Sequence, residues 1–229
     1  MSAKPPTRCS PNPRAPHESP DSIPAPEPAR LAVLISGRGR TLANLADRID
    51  EGRLSARIVL VISGGPCPGV RIARERGFET LVMPGDLDAQ RFEQILDAHR
   101  VDWVCLGGYL RLLPIPARYR GRIVNIHPAL LPRHGGPGMY GSRVHEAVIA
   151  AGDRESGCTV HLCDETYDTG AIVLQKRCPV LPDDTPERLA RRVFDLECQA
   201  YPEALELLIQ TDGSRFDRAG PDNSVGSRR

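Results

Sequence analysis

The sequence predicts an α/β protein built on a doubly wound, mostly parallel sheet. Short continuous apolar runs recur, as in LAVLIS (31–36), IVLVIS (58–63) and WVCL (103–106), and strands buried on both faces read this way. Helical segments of roughly ten residues separate them, which implies parallel pairing through crossovers. Glycine and proline clusters close each run, as connecting turns require.

At 229 residues the chain holds one good-sized domain or two small ones. Lys+Arg 30 against Asp+Glu 29 leaves a net charge of +1, so no nucleic-acid or anionic-membrane partner is expected and any anionic ligand must be met locally. No apolar run approaches the length of a membrane span, and the Pro-rich start lacks the apolar core of a signal peptide. The seven cysteines are scattered, several inside strand-like runs where a free thiol acts as a small hydrophobe, and a reducing, cytoplasmic location is expected. Cys158 and Cys163 lack a second pair at finger-like spacing, so no metal is expected.

Residues 1–29 hold nine prolines and few apolar residues besides alanine. Such a segment cannot bury enough surface to offset its ordering entropy, so a disordered extension is expected there, followed by one folded domain over 30–210 and a polar tail over 211–229. LAVLIS leads into Gly37-Arg38-Gly39, and the spacing of Leu42, Leu45 and Ile49 makes 41–49 a helix. This strand, turn and helix aim backbone N–H groups and a positive helix end at one spot, which suits a phosphate. A dinucleotide site would want a third glycine where Leu42 stands, so a nicotinamide cofactor is disfavoured, while a single phosphate and a plain βα turn both stay open. IVLVIS, the turn GGPCPG and a helix over 70–76 come next, then a strand over 80–83 and a helix over 88–98 with Phe92, Ile95 and Leu96 on its apolar face. WVCL opens into Gly107-Gly108-Tyr109-Leu110-Arg111.

The chain is organised around RIVNIHPALLPR (122–133). Residues 122–126 read as a strand that stops at His127, because Pro128 and Pro132 cannot continue a central ladder. Asn125 and His127 then share one face at the carboxyl edge of the sheet, where open α/β sheets bind ligands. An amide N–H can donate to an oxyanion and an imidazole can hold or move a proton near neutral pH, a pair suited to acyl-type chemistry at a carbonyl. A lone Asn-x-His also reads as a turn with satisfied carbonyls, and by itself it leaves the choice open. The Gly-rich PRHGGPGMYGSR that follows can wrap a ligand. Residues 144–151 form a helix carrying His145, and CTVHLC (158–163) alternates as a strand with Thr159 and His161 on one face. Residues 171–181 are its partner strand across the turn DETYDTG, and Thr185-Pro186 starts a helix that runs to about 209.

Four separated features, SGRG, GGYLRLLP, NIHPALLP and GCTVHLCDETYDTGAIVLQ, together resemble the glycinamide ribonucleotide formyltransferase family, folate-dependent enzymes of purine synthesis, over 31–209. NIHPALLP followed downstream by D-x-G-x-I-x-x-Q is the specific part of the signal. The resemblance implies a Rossmann-like amino-terminal half, 10-formyltetrahydrofolate as co-substrate, no metal, and transfer of the formyl group to the primary amine of glycinamide ribonucleotide. It carries a catalytic trio onto Asn125, His127 and Asp168. Asn125 would donate to the tetrahedral oxyanion and His127, if protonated, would stabilise it by a charge-assisted bond. Asp168 would raise the His127 pKa and organise proton transfer from the attacking amine to the departing folate nitrogen. The resemblance also implies substrate contacts at Gly37, Gly39, Arg40, Thr41 and Glu197, and a pterin pocket from Leu110, Arg111, Leu112 and Leu113 with Asp164 and Tyr167. His145 and His161 sit at family-like positions as secondary support. From spacing alone Asp168 also reads as a turn residue, Arg111 and Glu197 as solvated charges, and both histidines as core residues.

One departure stands out: where the family usually has G-S-N or G-T-N, this chain has Gly39-Arg40-Thr41. Backbone N–H groups can still serve there, and Arg40 adds charge, so a phosphate grip is still expected. Three rival readings differ in what they require. A formyltetrahydrofolate deformylase shares Asn, His and Asp but uses water as acceptor, carries an amino-terminal regulatory domain and tends to read HHSFLP. A methionyl-tRNA formyltransferase needs a carboxyl-terminal nucleic-acid-binding domain, for which the balanced charge offers no footprint. A pure folate- or nucleotide-binding module has no need of a proton-transfer carboxylate. The expected partners are small-molecule substrates, with a homodimer admissible.

Overall fold

A computed structural model of the protein describes residues 27–214 and Phe216. The Pro-rich extension expected over 1–29 lies outside the described residues except for its last three, and Ala29 already belongs to the first strand. The expected polar tail lies outside them too, apart from its first few residues and Phe216.

The elements follow in the order β1 (Ala29–Ile35), α1 (Arg40–Asp50), β2 (Ala56–Ser63), α2 (Pro68–Glu75), β3 (Thr80–Val82), α3 (Ala89–Ala98) and β4 (Trp103–Leu106). After a 3-10 turn at Ala117–Tyr119 come β5 (Ile123–His127), α4 (Ser142–Ala150), β6 (Glu155–Leu162), β7 (Ile172–Pro179) and α5 (Pro186–Thr211). Seven strands form one sheet in the order β3-β2-β1-β4-β5-β6-β7. The pairs among β1 to β5 are parallel, whereas β5/β6 and β6/β7 are antiparallel. The mostly parallel α/β sheet is thus observed.

Alternation along β1 explains its unbroken apolar reading. Leu31, Val33 and Ile35 join the core beneath α1 and α5, and Ala32 and Leu34 join the core with Phe92 and Leu96 of α3. Leu42, standing where a dinucleotide site would want glycine, is fully buried in the first of these cores. Tyr201 of α5, also fully buried, donates its hydroxyl to the Val124 carbonyl at 2.9 Å and so fastens α5 under β5.

Two boundaries differ from expectation for physical reasons. β6 begins at Glu155, three residues early, because Glu155, Ser156 and Gly157 pair with Pro179, Cys178 and Arg177 of β7, a tertiary pairing that their polarity hides. α2 starts at Pro68, whose missing N–H costs nothing at the first helical position.

The chain leaves β1 toward β2 and β3 on one side and returns to β4 on the other, so β1/β4 is the topological switch point. Turns leaving two such neighbouring strands diverge and open a crevice at the carboxyl edge. Here they are Gly37–Gly39 and Gly107–Leu110, and both line the same cavity of about 620 Å³.

Candidate active site

β5 carries Asn125 and His127 to the floor of this cavity, and β6 runs antiparallel beside it with His161 opposite Asn125 and Thr159 opposite His127. The turn from β6 to β7 folds back over them. Gly170 is required there, since a Cβ would sit 1.9 Å from the Leu162 carbonyl oxygen. That close approach presses the turn onto the end of β6. Asp168, two residues earlier, takes a left-handed φ of 60°, which aspartate tolerates better than most residues. The turn and functional readings of Asp168 therefore coincide.

Asp168 Oδ2 accepts the Gly136 N–H at 2.9 Å and lies 3.5 Å from His127 Nδ1. Its Oδ1 lies 3.5 Å from both Asn125 Nδ2 and His161 Nε2. The rings have assignable roles because a backbone carbonyl only accepts. His127 donates Nε2–H to the His134 carbonyl at 2.8 Å, which leaves Nδ1, facing Asp168, as the nitrogen that titrates. His161 donates Nδ1–H to the Leu162 carbonyl at 2.9 Å, so its Nε2 accepts the Asn125 amide N–H at 3.1 Å. That contact is shorter than the 3.5 Å from the same ring nitrogen to Asp168, and it fixes which end of the Asn125 amide is the donor.

The expected influence of Asp168 on His127 meets a stronger opponent. Burial lowers the His127 pKa below the ordinary imidazole value, and although Asp168 raises it as expected, it does not make up the difference. The unliganded ring therefore rests as a neutral imidazole at neutral pH. Asp168 goes the other way: burial pushes its carboxyl up, but the polar groups gathered around it, the Gly136 N–H among them, hold it below the usual carboxylate range. The unliganded pair is a carboxylate beside an imidazole that can take one proton between them.

The far end of the cavity is made by the β1–α1 turn and α5. Gly39, at φ 73°, must be glycine because a Cβ there would meet the Gly69 Cα at 2.8 Å. No side chain caps α1, so its first N–H groups are left to the cavity. The Arg40 guanidinium lies 3.9 Å over the Phe194 ring. One helical turn further on, the half-buried Glu197 borders the cavity. Burial pushes its carboxyl up to about 7, and Arg40 only partly offsets this. His145 also borders the cavity, 5% exposed, with Nδ1 unpartnered and its pKa lowered to about 4 chiefly by burial.

Of the residues expected around a pterin, Leu110 and Tyr167 line the cavity and are exposed to it. Leu112 is exposed away from it, and Leu113 is buried in the α3 core. The Arg111 guanidinium donates to the Gly64 carbonyl at 2.9 Å and to that of Gly85, tying together the turns after β2 and β3. Asp164 is taken up by its own turn, accepting from Thr166 N at 2.9 Å and the Thr169 hydroxyl at 2.8 Å. Sequence reasoning did not single out His134, Gly136 and Phe194. Only the glycine-rich character of 133–142 pointed toward the first two, and nothing local marks Phe194. Among the described residues no group of His, Cys, Asp and Glu is disposed to hold a metal ion, and no helix is long and apolar enough to cross a membrane.

Comparison with known proteins matches residues 29–205 to the family described as formyl transferase. The chloroplastic phosphoribosylglycinamide formyltransferase of Vigna unguiculata is 40% identical over 79% of this chain, which spans 61% of that relative's length. The phosphoribosylglycinamide formyltransferase of Haemophilus influenzae is 35% identical, with 76% of this chain and 84% of the relative aligned. The crystal structure of glycinamide ribonucleotide transformylase 1 from Symbiobacterium toebii superposes with a TM-score of 0.75 at 35% identity, covering 85% of this chain and 94% of that one. The match to the family model over most of the chain places this protein in the formyl transferase family.

Proposed function

We propose that this protein transfers the formyl group of 10-formyltetrahydrofolate to the amine of glycinamide ribonucleotide. The observation that carries the reading is the gathering of Asn125, His127 and Asp168 within 3.5 Å at the floor of a cavity whose other end is an uncapped helix start. Relatives named phosphoribosylglycinamide formyltransferase at 35–40% identity support it.

In this reading the phosphate meets the N–H groups of Gly39 to Thr41 and the Arg40 guanidinium, and Glu197 accepts from the ribose hydroxyls. Gly37 shapes the turn. The folate lies along Leu110 and Tyr167, with Arg111 holding the loop beneath it. The amine nitrogen attacks the formyl carbon, and the carbonyl electron pair becomes an oxyanion. Asn125 exchanges its long contact to Asp168 for that oxygen. The proton lost by the amine passes, directly or through one water, to the His127–Asp168 pair, where Nδ1 becomes N–H and the imidazolium lies beside both carboxylate and oxyanion. As the oxyanion collapses, the bond from carbon to the folate nitrogen breaks and the same proton goes to that nitrogen. A neutral resting His127 suits this cycle, because it has room for the proton. Catalytic residues lie within 30–210, which we take as the catalytic domain. The six described cysteines are all free, which supports a reducing compartment such as the cytoplasm.

The test mixes purified protein with a 10-formyl folate donor, with and without glycinamide ribonucleotide, and follows the deformylated folate by absorbance. Release that requires the ribonucleotide is expected. Equal release without it would mean that water is the acceptor and the protein a deformylase.

A further inference from the structure

A second cavity of about 390 Å³, sharing no lining residue with the first, lies between 130–134, the α4–β6 connection and β7. Its polar lining is dominated by donors. Arg133, Arg154 and Arg177 border it with His134, against the carboxylates of Asp153 and Glu155. Arg133 and Arg177 each bind one of those carboxylates, yet their side chains remain 64% and 58% exposed, and a guanidinium has donors to spare. Arg154 has no carboxylate within ion-pair distance among the described residues. At the inner wall Ser156 is 1% exposed and its Oγ has no hydrogen-bond partner. A buried hydroxyl without a partner is destabilising, and it persists where something supplies the missing bond.

We propose that this cavity is a second binding site, for a small phosphate-bearing ligand, and that its occupancy is read at the catalytic histidine through His134. Forked guanidinium donors match phosphate oxygens, the excess of donors over carboxylates selects an anion, and the volume suits a molecule the size of a sugar phosphate. The route to the chemistry is short. His134 Nε2 is held by Asp153 Oδ2 at 2.7 Å, Asp153 is shared with Arg133, and the His134 carbonyl fixes His127 Nε2 at 2.8 Å. His134 stands at a left-handed φ of 54°, unusual for a non-glycine, so its conformation depends on that clamp. An anion that draws Arg133 from Asp153 loosens the clamp and lets the His127 ring turn away from Asp168.

The experiment titrates inorganic phosphate into the full-length protein by calorimetry with glycinamide ribonucleotide saturating, and measures kcat under the same conditions. It rests on the proposed activity, so ribonucleotide-dependent turnover without phosphate is measured first, and its absence would count against that activity and not against this site. A binding heat that persists beside the ribonucleotide is expected, with a several-fold fall in kcat. Both should vanish in Arg154→Ala/Arg177→Ala, which should keep its phosphate-free turnover, and Ser156→Ala should weaken the binding. Inhibition that ribonucleotide relieves completely, or an unchanged heat in the double variant, would overturn the site. Binding that leaves kcat untouched would overturn the link through His134.

Discussion

At one end of the candidate-site cavity Asn125, His127, His161 and Asp168 gather at 3.1–3.5 Å, and backbone groups of 134, 136 and 162 hold the two rings and the carboxylate in place. At the other end α1 has no side-chain cap, Arg40 rests on an aromatic ring and the Glu197 carboxyl is pushed up by burial with no hydrogen bond to relieve it. The first end is pre-organised, because reacting groups must not need to search for their geometry when charge develops. The second keeps its bonding capacity for a ligand, because groups already paired would have to be unpaired before they could bind. Changes at the first end should therefore appear in kcat, and changes at the second in KM and stability.

The largest effect should come from Asp168→Ala, which removes the partner that shares the travelling proton. A loss of about 10³ in kcat is expected with folate binding retained, within the range for general acid–base groups. Near-normal turnover would break the division at its strongest point. Asn125→Ala should follow, with roughly 10²–10³ lost from kcat as one oxyanion donor disappears. His161→Phe leaves that donor in place but releases its orientation, and about tenfold in kcat is expected, the worth of one ordinary hydrogen bond.

Acid and base titration sharpens the same end. If His127 takes the proton as proposed, the rate should fall as pH drops through its lowered pKa, giving an acid limb in kcat/KM below the usual imidazole value of about 6.5. Asp168 is the group that raises that pKa, so in Asp168→Asn the limb, read from the residual activity, should move lower still.

At the second end, Arg40→Ser should raise KM for the ribonucleotide about tenfold with kcat unchanged, and the salt dependence of KM should shrink. The smallest effect is a stability one. Glu197 holds its proton more tightly folded than unfolded, so between its unfolded value and about 7 the folded state binds more protons and stability falls as pH rises. Glu197→Gln should therefore raise the melting temperature by several degrees at pH ~8 and change it little at pH ~4, below both the folded and the unfolded carboxyl pKa. A stabilisation independent of pH would place the effect in packing and not in the charge.

Much of this architecture is legible in the residues alone. The apolar runs of β1, β2 and β4 announce a sheet covered on both faces, and the prolines after His127 end β5 just past Asn125 and His127. Turn-forming D-T-G marks Asp168 for a tight bend. By contrast, 155–157 look too polar for a strand, and α5 offers no local reason to single out Phe194. Their roles depend on what lies across from them in space, and local pattern carries no such information.

Which residues have the right chemistry, and where the chain must turn, can be read along the chain, because periodicity, proline and glycine act on the nearest few residues. The charge state of His127, the orientation of the Asn125 amide by His161, and the laying of Arg40 on Phe194 arise from the folded packing alone. Each of these depends on burial and on partners brought together from distant parts of the chain. A pKa follows the competition between desolvation and neighbouring charge, and at His127 desolvation wins by an amount no motif encodes.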